Sequence, residues 1–113
     1  MAYAEEEFKE IEITFASDLK DGEMRELIVG DGEEDKVLIA RYKGTLRCTG
    51  NYCSHFNLPL SKSIMVDDKV VCPFHNAAFS ILTGEPEQAP ALDGLPVFEI
   101  FEKDGKFFVK VPQ

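Results

Sequence analysis

Residues 97–111 read VFEIFEKDGKFFVKV, and this stretch decides the fold. Phe107, Val109 and Val111 alternate with Phe108 and Lys110, the period of two that turns one side of a strand to a core. Between the two runs stands Asp104-Gly105, a pair suited to the positive φ angles of a tight hairpin turn. The stretch predicts a β-hairpin that closes the chain over roughly 97 to 111.

The same pattern recurs toward the N-terminus. Ile11, Ile13 and Phe15 alternate with Glu12 and Thr14, predicting a strand. Val37-Leu38-Ile39-Ala40 and Leu27-Ile28-Val29 are short continuous apolar runs, which suit strands buried on both faces. Turn chemistry separates the runs at Asp21-Gly22, Asp31-Gly32, Lys43-Gly44, Asp67-Asp68, Thr83-Gly84, Asp93-Gly94 and Asp104-Gly105. No segment shows a dozen-residue amphipathic helix. The expected class is all-β, built of stacked antiparallel sheets in a sandwich or a partly open barrel of hairpins.

Periodicity falters between about Cys48 and Pro73, where Cys, His, Asn and Pro accumulate, and is firm on both sides. A β base carrying one inserted subdomain, at about 48–83, is the implied plan. Residues 85–96 hold three prolines and read as a long irregular connection back to the base. A chain of 113 residues, 44% apolar, has material for a single domain over 1–113 and no second one.

Charge narrows the partners. Twenty-one acidic against twelve basic residues give a net charge of −9, which repels nucleic acid and anionic membranes and favours a partner with a basic docking face. Much of that charge, as at Glu5, Glu6, Glu7, Glu33, Glu34 and Asp35, reads as plain solvation of the surface. No apolar run is long enough to span a bilayer, and the segment from Met1 to Glu10 is acidic where a targeting signal would be basic. Three cysteines do not form an even-numbered disulfide framework, so reduced thiols in the cytoplasm or another reducing compartment are expected.

Both histidines of the chain lie within three residues of a cysteine, in Cys53-Ser54-His55 and Cys72-Pro73-Phe74-His75. Thiolates and imidazoles suit a soft metal, and the C-x-H and C-x-x-H spacings let one loop present two ligands. The sixteen residues between His55 and Cys72 have room for a hairpin, Ile64 to Val66 and Lys69 to Val71, that brings the second pair back to the first. Cys53, His55, Cys72 and His75 are therefore the candidate metal ligands. A structural zinc ion held by the same four side chains, in an interaction module without redox function, is the alternative these residues leave open. Cys48 stands four residues from Cys53 as in plant-type ferredoxins, but Phe56 occupies the place where that pattern needs another cysteine. Its strand-like neighbours Leu46 and Thr49 predict a buried, reduced thiol.

The paired boxes resemble the C-x-H and C-x-x-H motif of Rieske proteins over about residues 8 to 112. Leu58-Pro59-Leu60, Ala78-Phe79-Ser80 and Thr83-Gly84 look like that family's segments around its cluster. The resemblance implies a Rieske-type fold with an inserted cluster-binding subdomain, and a Rieske-type [2Fe–2S] cluster as cofactor, held by Cys53, His55, Cys72 and His75. Asn57 and Asn76 stand where members often have glycine; asparagine best tolerates left-handed backbone among the other residues. The respiratory type has two further cysteines, matched here by Leu58 and Phe74, and a serine and a tyrosine that bond the cluster, matched by Ala77 and Phe79.

Within the family the chain looks most like the N-terminal Rieske domain of apoptosis-inducing-factor-like flavoproteins. That likeness implies one-electron transfer between a flavin/NAD(P)H reductase module and an unidentified acceptor, by a monomeric carrier domain that is not itself an enzyme. A free-standing Rieske ferredoxin supplying an aromatic-ring oxygenase is the alternative within the family. Without the two hydroxyls at Ala77 and Phe79, the reduced cluster loses two candidate stabilising bonds, which implies a midpoint of about −150 to −50 mV, low in the Rieske range.

Overall fold

The computed structural model describes residues 8–30, 35–52, 60–71, 78–86 and 94–112. Nine strands run through them: β1 (Phe8–Glu12), β2 (Met24–Ile28), β3 (Lys36–Tyr42), β4 (Thr45–Gly50), β5 (Ile64–Val66), β6 (Lys69–Val71), β7 (Ala78–Ser80), β8 (Val97–Lys103) and β9 (Lys106–Pro112). Every pairing is antiparallel. Among the described residues the only helical turns are short 3-10 turns at Ala16–Asp18 and Leu60–Lys62. The protein is all-β, as the periodicity predicts.

Turn chemistry sets the hairpins. Lys43 and Gly44 (φ 50° and 82°) join β3 to β4, and Asp104 and Gly105 (φ 54° and 78°) join β8 to β9. Two successive positive φ angles match the right-handed twist of the flanking strands. The registers that result pair Tyr42 with Thr45 and Lys103 with Lys106.

Six strands form one sheet in the order β1-β9-β8-β4-β3-β2, and β5-β6-β7 form a second. β8 pairs with β4 only through Val97 and Phe98, then with β9 from Glu99 onward. The strand thus changes partners along its length and lets the large sheet curl over its own core. Leu27, Val37, Ile39, Leu46 and Cys48 from one half meet Val109 and Val111 from the other.

β3 is buried on both faces. Val37 and Ile39 enter that base core, whereas Leu38 and Ala40 enter a second cluster with Leu60, Val70, Phe79, Ile81 and Leu95. The small sheet is seated on the large one through this second cluster, as the unbroken apolar run in β3 requires.

Two sequence expectations need correction. Leu27-Ile28-Val29 was expected to be buried on both faces, yet Leu27 is buried while Ile28 is 62% exposed. On that side of β2 only Met24, at the other end of the strand, packs against the second cluster, so Ile28 is left uncovered. Phe15 was expected to continue the first strand, but the chain turns after Glu12, with Ile13 O accepting from Ala16 N and Phe15 O from Asp18 N. The Arg41 guanidinium donates to the carbonyls of Ala16 (2.6 Å) and Leu19 (2.6 Å), supplying this irregular segment with side-chain donors, and to Gly44 (2.9 Å) in the β3–β4 turn.

Because Leu38 joins the two sheets, Leu38→Ala is expected to destabilise by about 3 kcal/mol. Ile28→Ala is expected to stay within about 0.5 kcal/mol of the parent. Denaturant unfolding of the two variants side by side checks the contrast.

Candidate metal centre

The four candidate ligands, Cys53, His55, Cys72 and His75, lie outside the described residues, as do Phe56, Asn57, Leu58, Pro59, Phe74, Asn76 and Ala77. The structure describes the roots from which their segments spring. The first segment leaves β4 through Asn51 and Tyr52 and returns at Leu60, whose N–H donates to the Asn51 carbonyl (2.5 Å). The second leaves β6 at Val71 and returns into β7 at Ala78, which pairs directly with Val71.

Both roots rest on one core. Leu60 follows the first segment, Val70 precedes the second and Phe79 follows it, and all three are fully buried in the second cluster. The β5–β6 hairpin between the segments has the bounds the spacing predicts, with Ile64 opposite Val71 and Val66 opposite Lys69. Phe79, matched by resemblance to a tyrosine that bonds the cluster, pairs with Val70 inside this core.

A third connection is tied to the same place. Phe79 bridges to Pro86, Ser80 N–H donates to Glu85 O (2.9 Å), and Leu95 N–H donates to Gly84 O (2.7 Å). Gly84 has φ +77°, and a Cβ there would lie 2.0 Å from the Leu95 carbonyl oxygen, so the close approach requires glycine. Gly50, just ahead of the first root, donates to Pro96 O (2.9 Å).

Asn51 is the residue that sequence reading missed. Its side chain is 1% exposed; Nδ2 donates to Glu26 Oε2 (2.6 Å), while Oδ1 has no hydrogen-bond partner among the described residues. Glu26, on the edge strand β2, also faces Lys36 Nζ at 3.8 Å. The only sequence signal was an asparagine two places ahead of Cys53, which without the fold reads as a turn residue.

Cys48 is a free, buried thiol in the base core, beside Leu46 and Ile39. It belongs to the cluster opposite the one that carries both roots, as expected for a packing residue. Burial raises its pKa above the ordinary thiol value. Among the described residues no group of three or more His, Cys, Asp or Glu gathers in a metal-binding arrangement. Two thiols and two imidazoles, on segments closed at their roots over one core, form a donor set that fits an iron–sulfur cluster with mixed ligation.

Comparison with known proteins agrees with this reading. The family model for the Rieske [2Fe-2S] domain matches residues 9–99, and the chain belongs to that family. It is 36% identical over 101 residues to apoptosis-inducing factor 3 of Homo sapiens, covering 89% of this chain and 16% of that protein, so it spans about a sixth of that relative's length. It is 30% identical over 99 residues to ferredoxin CarAc of Metapseudomonas resinovorans, covering 88% of this chain and 91% of that one. A chain in the solved complex of reduced oxygenase and oxidized ferredoxin in carbazole 1,9a-dioxygenase superposes with a TM-score of 0.76 at 30% identity, covering 88% of this chain and 99% of its own. The chain is a Rieske domain, an electron-transfer module whose cofactor is a [2Fe–2S] cluster and not the alternative zinc ion. Among the described residues no helix is long and apolar enough to cross a membrane.

The raised pKa of Cys48 has a stability consequence. Above about pH 9 the unfolded chain releases the thiol proton while the folded chain keeps it, so stability falls as pH rises. Denaturation series at pH 8 to 10.5 are expected to show a parent slope steeper than that of Cys48→Ala, approaching about 1.4 kcal/mol per pH unit of difference.

Proposed function

We propose that the thiolates of Cys53 and Cys72 and the imidazoles of His55 and His75 hold the cluster. Residues 1–113 act as one domain, with a cluster-binding subdomain at about 48–83. The observation that carries this reading is the closure of both ligand-bearing segments over one core, by Leu60 on Asn51 and by the Val71–Ala78 pair. Spacing alone makes each box a two-ligand loop; the shared core gives the two loops a common footing.

When bound, the cluster supplies a one-electron couple. The chain's part is electrostatic. Two thiolates bring two negative charges and two neutral imidazoles bring none, so added negative charge meets less repulsion than four thiolates would impose. The domain passes electrons between a flavin/NAD(P)H reductase module and an acceptor with a basic face, as a monomer in the cytoplasm or another reducing compartment. The acidic surface, net −9, favours such a partner. Likeness to apoptosis-inducing factor 3 supports a place beside further modules. The second reading, a ferredoxin supplying an aromatic-ring oxygenase, is favoured by the 91% coverage of ferredoxin CarAc.

Cys53→Ser and Cys72→Ser are expected to lose the red-brown colour together with iron and acid-labile sulfide, whereas Cys48→Ser keeps all three. Colour retained in either ligand variant counts against the assignment. Reduction by an NAD(P)H-dependent flavoprotein, against reduction through an oxygenase system's own reductase, separates the two readings of the partner.

A second outcome concerns Ala77 and Phe79, neither of which has a hydroxyl to donate. A redox titration is expected to place the midpoint at about −150 to −50 mV, and a value above about +150 mV would refute this account.

A further inference from the structure

We propose that the cleft between β4 and β8 is a binding site for a small apolar amino acid. Its carboxylate meets Arg47, its ammonium meets Glu99, and its side chain lies in the gap between the two strands. Neither Cys/His box takes part.

The cleft opens where a ladder stops. β4 and β8 pair only at Cys48–Phe98 and Thr49–Val97, next to a bond from Gly50 N–H to Pro96 O (2.9 Å). Bonded pairs alternate along an antiparallel ladder, so the bonding position after Cys48–Phe98 is Leu46 opposite Ile100. No ladder pair forms there. The N–H and C=O groups of Leu46 and Ile100 therefore face a cleft of about 450 Å³, within the roughly 300–1,000 Å³ usual for small-molecule sites.

Its two sides differ. Leu46, Cys48, Phe98 and Ile100 turn toward the base core and close the inner side with apolar surface. Arg47, Val97 and Glu99 stand exposed on the outer side. Arg47 and Glu99 hold the next register positions on opposite walls, yet among the described residues no ion pair joins them. One cation and one anion facing each other beside free backbone groups match a molecule that carries both opposite charges on a single carbon. A carboxylate accepts from the guanidinium and from backbone N–H, and an ammonium donates to the Glu99 carboxylate and to backbone C=O. A ligand of one sign would satisfy one wall and be repelled by the other.

An added strand is the other occupant that free backbone groups invite, and the wedge shape opposes it. Neighbouring strands lie about 4.8 Å apart, so an inserted strand needs twice that spacing along its whole length, whereas β4 and β8 are in ladder contact at Cys48 and Phe98. A compact molecule seated at the open end needs no such separation.

The test is calorimetric titration of the cluster-loaded full chain with L-leucine. Saturable binding at one site is expected, with isocaproate, which lacks the ammonium, and isoamylamine, which lacks the carboxylate, each at least about tenfold weaker. Arg47→Gln and Glu99→Gln change exposed side chains, so both variants are expected to keep the parental unfolding midpoint and to bind L-leucine about tenfold more weakly. Heats no larger than dilution with L-leucine at up to about 10 mM overturn the proposal. So does parental affinity in both variants, which would put the ligand elsewhere, and so does isocaproate binding as tightly as L-leucine. Saturable binding of an end-capped peptide of alternating threonine and valine, with none of L-leucine, would assign the cleft to an added strand and overturn it as well.

Discussion

Burial of β3 on both faces is the constraint from which the architecture follows. A strand with Val37 and Ile39 on one side and Leu38 and Ala40 on the other exposes apolar surface to water unless two layers cover it. The curled six-stranded sheet covers the first side with residues from as far away as Val109 and Val111. The small sheet covers the second with Leu60, Val70 and Phe79. The small sheet is thus held by the same strand that holds the base together.

The two Cys/His boxes are rooted on this second core. Residues that hold a bound group need fixed positions, and the elements at their roots can supply that. Here each segment is closed where it begins. Leu60 binds Asn51, Val71 pairs with Ala78, and Gly84 is bound by Leu95. The Leu60–Asn51 and Leu95–Gly84 closures are single backbone bonds with a net worth of about 1 kcal/mol each, yet they sit on residues the core has already ordered. Asn51 adds a side-chain link between the first closure and the edge strand β2. The lone third cysteine is kept apart by burial in the opposite cluster, where its thiol stays protonated and inert.

The surface tells the complementary story. The net charge of −9 repels other anionic surfaces and adds little to internal stability. Among the described residues Lys36 pairs with Glu26 and Lys69 with Asp68, both at the surface. The second holds the Asp68 carboxyl below its usual range through the Lys69 hydrogen bond. Stability is carried by the two apolar clusters.

What the residues alone determined were the local features. Period-two alternation in Phe107, Val109 and Val111, the positive-φ turn pairs at Lys43-Gly44 and Asp104-Gly105, and the two Cys/His boxes are each set within a few neighbouring residues, so strand type, hairpins, family and cofactor were legible before any fold was in hand. What the tertiary structure decided was which layer covers which strand. Leu27-Ile28-Val29 and Val37-Leu38-Ile39-Ala40 look alike as apolar runs, but one became an open edge and the other an interior strand, because burial depends on neighbours distant in sequence. The same holds for Asn51 and Glu26: twenty-five positions apart, they meet only once β2, β3 and β4 lie side by side.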